Sequence, residues 1–111
     1  MGQPDSVVLV QRTLDETLVR ALECYARACL GLGRTELAGA ERAARTLVRT
    51  APLHESGYGL LMAALEAQGN VAEALVVYEA LRQHLRSELG VSPAEALQSA
   101  YRRLLSASSG V

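Results

Sequence analysis

"MAALEAQGNVAEALVVYEALRQHL", residues 62 to 85, decides the fold of this chain. Up to Gln68 the residues are apolar nearly all round a helix, while Ala74, Leu75, Tyr78, Leu81 and Leu85 recur at helical spacing after Gly69-Asn70. A glycine followed by asparagine between two such patterns ends one helix and allows another to begin at once. The stretch therefore reads as a helix-turn-helix unit. It has an echo offset by 36 residues, "ARACLGLGRTELAGAERAARTLV" from Ala26, in which Gly33 falls on Gly69 and Ala38 on Ala74. Two such units at a period in the mid-thirties are the pattern of tetratricopeptide-like repeats.

Working outward, the spacing predicts five helices and no sheet. Helix one, about 6 to 32, carries Leu14, Leu18, Ala21, Tyr25, Ala28 and Leu32 as a single apolar stripe and ends at Gly31-Leu32-Gly33. Helix two, about 36 to 50, is capped by Thr35, has Leu37, Ala40, Ala44, Leu47 and Val48 on its apolar face, and is closed by Pro52. Helix three begins near Leu53 and runs to about Gln68; its all-round apolar character puts it in the middle of the stack. Helix four, about 72 to 89, faces inward through Ala74, Leu75, Tyr78, Leu81, Leu85 and Leu89.

"SELGVSPAEAL", residues 87 to 97, stops helix four at Gly90 and restarts the chain with Ser92 as N-cap, Pro93 in the first turn and Glu95 as the reciprocal capping residue. Helix five, about 93 to 105, supplies Leu97, Tyr101, Leu104 and Leu105 and is expected to cover the open apolar face of the last repeat. Residues 106–111 are expected to be a disordered tail. The fold expectation is thus all-α: a tetratricopeptide-like antiparallel stack of about five helices with a capping last helix, in one domain over 1–105.

Eleven arginines, no lysine and twelve acids give a net charge of −1, which is no nucleic-acid footprint. The apolar run Val7-Val8-Leu9-Val10 is far too short for a signal peptide or a membrane span, so a cytoplasmic chain is expected. Cys24 and Cys29, five apart on one helix, cannot bridge without distorting it and read as buried thiols. His54 and His84 have no partner at metal-ligand spacing, and Gly31-Leu32-Gly33 lacks the preceding strand of a phosphate loop. No metal, cofactor or catalytic residue is expected, and the chain does not read as an enzyme. Arg42, Arg45 and Arg49 form a basic stripe on helix two, with Glu41 placed to pair with Arg45 on a solvated face.

From Leu47 to Leu105 the chain resembles the bacterial transcriptional activator domain. The likeness is carried by Pro52 with Glu55, Leu61-Met62, Ala64-Leu65, Gly69, Glu73-Ala74-Leu75, Tyr78, Leu81-Arg82, Glu88-Leu89-Gly90-Val91 with Pro93 and Leu97, and the Arg103-Leu104-Leu105 ending. This helical module is found beside a winged helix-turn-helix domain in antibiotic-regulatory-type activators. Arg42 departs from the tetratricopeptide repeat pattern, standing on the second helix of the first unit where a large apolar or aromatic side chain is expected. The family's domain has further helices before helix one, and no winged helix is present here, so a truncated or free-standing form is expected. The resemblance implies a non-enzymatic interaction and oligomerisation domain of a transcriptional regulator, lacking its DNA-binding domain. Its partners would be proteins: a second copy, adjacent regulator domains or the transcription machinery. The alternative is a free-standing peptide-binding adaptor of tetratricopeptide type.

Two surfaces are candidates for contact. Val7, Val8 and Val10, followed by Leu14 and Leu18, form an uncovered apolar end, for which a homodimer is the expected solution. By repeat analogy Gly59, Ala63 and Glu66 line an inner surface beside Arg20, Glu23 and Arg27, whose charges are placed to satisfy one another. Gly57 and Gly59, inside helix three, point to close helix contact.

Overall fold

The computed structural model describes residues 4–109. The order is α1 (Pro4–Leu32), a 3₁₀ turn (Arg34–Glu36), α2 (Leu37–Thr50), α3 (Glu55–Ala67), α4 (Val71–Leu89) and α5 (Glu95–Ser109), with no strand among the described residues. Helices α1 and α2 form one antiparallel hairpin and α3 and α4 a second. The hairpins stack through α2 and α1 against α3, and α5 closes the stack on α4. The central place expected for α3 follows: Tyr58, Leu61, Met62, Ala64 and Leu65 are all buried.

Both hairpins turn on a left-handed glycine, Gly33 at φ 83° and Gly69 at φ 80°. At the second, the Asn70 N–H reaches the Leu65 carbonyl (2.8 Å) and the Gly69 N–H that of Glu66 (2.9 Å), satisfying two of the four orphan acceptors of α3. Gly90 also ends α4 at positive φ, in the left-handed helical region at φ 67° and ψ 25°, whereas Gly33 has an extended ψ of −146°.

The two units do not hold one offset throughout. Ala26 and Cys29 are buried as Met62 and Leu65 are, 36 residues on, but Ala38 is exposed. The 3₁₀ turn adds two residues after Gly33, so the second helices match at 34: Ala40, Ala44 and Leu47 are buried like Ala74, Tyr78 and Leu81. In that register Ala44, not Arg42, stands opposite Tyr78, so the first unit has a buried apolar residue there, though a small one. The same turn displaces the expected cap: Glu36 precedes α2, and no Thr35 side-chain bond caps it.

Helix α3 starts two residues later than expected, because Ala51 to His54 form a turn closed by the His54 N–H on the Ala51 carbonyl (3.0 Å). The Tyr58 hydroxyl donates to the Pro52 carbonyl (2.8 Å) and pins that turn. Gly57 and Gly59 answer to close contact as read. A Cβ on Gly57 would lie 3.0 Å from Leu47 Cβ, and one on Gly59 would lie 3.1 Å from Leu97 Cδ2 of α5.

The start of α5 departs from the expected capping box. Ala94, not Ser92, precedes the first turn: its carbonyl accepts from Leu97 and Gln98, and its N–H donates to Glu55 Oε1 of α3 (2.8 Å). Glu95 instead pairs with Arg102 (2.7 Å). The cap is therefore supplied across the stack. Leu104 is buried with Leu61, Met62 and Leu65, and the Tyr101 ring stacks on Tyr78 with centroids 4.1 Å apart. Helix α5 continues past residue 105 to Ser109, since a last turn can close its own i to i+4 bonds without packing. The rest of the tail expected from 106, and residues 1–3, lie outside the described residues. Leu89, at the exit of α4, is exposed rather than inward.

Candidate functional site

The largest departure from the sequence reading lies on α1. Its stripe Leu14, Leu18, Ala21, Tyr25, Ala28 and Leu32 does not face the core; every one of these residues is exposed. The side packed against α2 is instead lined by Ala26 and Cys29, with Leu22 and Leu30 half-buried. Ala26 and Tyr25 are adjacent, so the two faces lie roughly 100° apart around the helix. Small residues make the inner line because the helices cross closely: a Cβ on Gly39 of α2 would lie 3.2 Å from the Tyr25 hydroxyl. Cys29 is buried as expected, whereas Cys24 is exposed.

Helix α1 also outruns its partner. Its 29 residues span roughly 43 Å, against 14 residues and roughly 21 Å for α2. All residues from 6 to 18 are exposed, and within them Val7 is 67%, Val10 60%, Leu14 59% and Leu18 45% accessible. No charged residue interrupts the line from Val7 through Val10, Leu14, Leu18, Ala21, Tyr25 and Ala28 to Leu32. Arg12, Asp15, Glu16, Arg20 and Glu23 lie off it and line a groove of about 360 Å³ toward Thr50 and His54. The structure thus brings Val7, Val8, Val10, Leu14 and Leu18 together as one exposed end.

The second candidate surface divides. Glu23 accepts from the Ser56 hydroxyl and meets His54 Nε2 at 3.3 Å, in place of the pairing with Arg20 and Arg27 read from sequence. The Ser56 bond is the largest cause holding the Glu23 carboxyl below its ordinary value, and His54 adds to it. Arg20 and Arg27 are exposed. Gly59 lies against Leu97 and Glu66 pairs with both terminal nitrogens of Arg103, so α5 engages this side of α3 on either side of half-buried Ala63.

Of the α2 arginines, Arg42 and Arg49 are exposed and Arg45 ties elements together. Arg45 bonds Glu41 and, across to α4, Glu73, each at 2.8 Å. Gln68 donates to Glu41 (2.9 Å) and Asn70 to Glu73 (2.7 Å), so the α3–α4 turn is tied to α2 by a five-residue network. The sequence showed the Glu41 to Arg45 pair alone; the other three members lie more than 20 residues away. Among the described residues no group of three His, Cys, Asp or Glu side chains is placed to hold a metal, and no helix is long and apolar enough to cross a membrane.

Residues 3–105 match the family model for the bacterial transcriptional activator domain. The chain is 34% identical over 98 residues to the regulatory protein DnrI of Streptomyces peucetius, covering 88% of this chain and 35% of that protein. It is 48% identical over 56 residues to the regulatory protein AfsR of Streptomyces coelicolor, covering 50% of this chain and 6% of that protein. The chain thus spans about a third or less of the length of these relatives. No solved structure matches it.

Proposed function

Because the chain belongs to the bacterial transcriptional activator domain family, we propose that it is a non-enzymatic, protein-contacting and self-associating module of a cytoplasmic transcriptional regulator. Its contact surface is the outward stripe of α1. The observation that carries this reading is the uncharged line from Val7 to Leu32, on a helix whose residues 6–18 are all exposed. An isolated helix of that length is marginal in water, and a contiguous apolar line of this kind marks a docking site.

The partner proposed is a second copy. From Leu14 to Leu32 the stripe alternates spacings of four and three, the seam on which two helices of this kind interlock, and a two-fold pairing covers both copies at once. A peptide-groove role has less support, since α5 engages Gly59 and Glu66 where a peptide would lie.

Size exclusion with light scattering at tens of micromolar tests the reading. The expected mass is twice that of the chain, and Val10→Asp or Leu14→Asp returns it to one. A monomer that neither substitution alters would remove self-association and leave a different protein as the occupant of α1.

A further inference from the structure

A second site stands at the corner where α4 gives way to α5. There a pocket of about 320 Å³ is lined by Tyr78, Arg82 and Arg86 of α4 and by Val91, Pro93 and Gln98 beyond the turn. Residues 78, 82 and 86 are four apart, so their side chains stand one above another along a single helix face.

The hydrogen bonding of this corner is incomplete. The Tyr58 and Tyr101 hydroxyls donate to Pro52 and Glu79, yet among the described residues the Tyr78 hydroxyl has no protein partner, although the residue is only 5% exposed. No fully buried side-chain oxygen or nitrogen lacks a partner, so this hydroxyl must reach open space, and the space beside it is the pocket. Arg82 spends its Nε on Glu79 (2.6 Å), and its terminal nitrogens make no further hydrogen bond. Both oxygens of Glu79 are engaged, the other accepting from Tyr101 (3.1 Å). Arg86 has no carboxylate within ion-pair reach among the described residues. Gln98 turns its amide N–H to the Pro93 carbonyl (2.7 Å).

One phenolic donor and two guanidinium groups with unused donors therefore converge on a concave, part-apolar space. We propose that this corner is a carboxylate-binding site that takes an acidic side chain from an extended segment of a partner protein. Guanidinium groups recognise carboxylates through charge-assisted bonds, and the tyrosine hydroxyl supplies a further donor that a surface arginine pair would lack. The Val91 and Pro93 walls favour an anion carried on a chain over a free small ion, because a free ion leaves them unused. The site is separate from α1 and does not depend on how that helix is covered.

The test is titration of the isotopically labelled 111-residue chain with an end-blocked peptide of alternating Asp and Glu, followed by amide NMR. Its Asn/Gln counterpart and inorganic phosphate serve as separate arms. The acidic peptide is expected to shift the amides of Gly90 to Ser92, and the neutral peptide to leave them in place. Arg86→Gln should weaken binding about tenfold, and Tyr78→Phe about threefold, in line with loss of a charge-assisted and a neutral hydrogen bond. Tyr78→Phe keeps the ring stacked on Tyr101, so an unchanged melting temperature confirms that the fold is intact. Acidic-peptide binding that survives both substitutions overturns the site. So does the absence of binding in both anion arms, which would leave the arginines to balance the negative end of α4. Binding of phosphate alone overturns the assignment to an acidic protein segment.

Discussion

Gly57 and Leu47 fix the distance between the two hairpins: a Cβ on Gly57 would stand 3.0 Å from Leu47 Cβ and 3.3 Å from the Val48 backbone nitrogen. Backbone cannot step aside as a side-chain tip can. Gly57→Ala should therefore lower stability by about 1 kcal/mol, the helix propensity gained being outweighed by overpacking. Gly59→Ala meets only the far end of Leu97 and should be near neutral, while Gly31→Ala, with nothing within 4 Å, should stabilise by about 0.5 kcal/mol. Chemical denaturation of the three variants checks the order.

The capping role of α5 rests on Leu104, which is 1% exposed among Leu61, Met62 and Leu65. Leu104→Ala should cost roughly 2 to 5 kcal/mol. Removing residues 91–111 should go further and expose Leu75, Tyr78 and Leu85 to water, with loss of solubility or of cooperative unfolding. Thermal melts read the first, and the soluble fraction after expression reads the second. A truncated chain as stable as the parent would make α5 an appendage.

Acid should loosen the same contacts. The Arg103 bond holds the Glu66 carboxyl below its ordinary 4.5, and Glu41 is held low first by Gln68 and then by Arg45. Groups with depressed folded values contribute stability that is fully present above about 4.5 and is lost as pH falls through the lower folded values. Melting temperature should be flat from pH 5 to neutrality and fall below 4.5, with Glu66→Gln flattening part of that fall.

The chain alone should not bind duplex DNA with sequence preference. Its net charge is −1, and Arg45 is committed to Glu41 and Glu73 while Arg102 and Arg103 are committed to Glu95 and Glu66. Anisotropy titration at physiological salt reads this, and sub-micromolar sequence-dependent binding would refute it.

What was legible in the sequence was local. The glycines at 33, 69 and 90 mark their helix ends, and the apolar spacing of α3 and α4 identifies the buried Tyr78, Leu81 and Leu85. The α1 stripe was legible as a stripe but not by direction, because Leu14 to Leu32 outweigh the small Ala26 and Cys29 that actually pack. A close crossing selects for size rather than hydropathy, which periodicity cannot register. The Glu55 cap of α5 and the Arg45 link to Glu73 join residues 39 and 28 apart, and no local pattern records them. The carboxylate corner was missed for a related reason: Tyr78 reads as core, and only its lack of a hydrogen-bond partner sets it apart.

Helix α1 has neither glycine nor proline from Asp5 to Leu30, so it behaves as one stiff rod gripped only over its second half. Val10 and Glu23 are 13 residues apart, a lever arm of roughly 20 Å. A tilt imposed at the free end would be carried along the helix toward Glu23 and bear on its bonds to Ser56 and His54 at the start of α3. Under the proposed pairing, docking at the tip would be felt as torque at the joint between the hairpins.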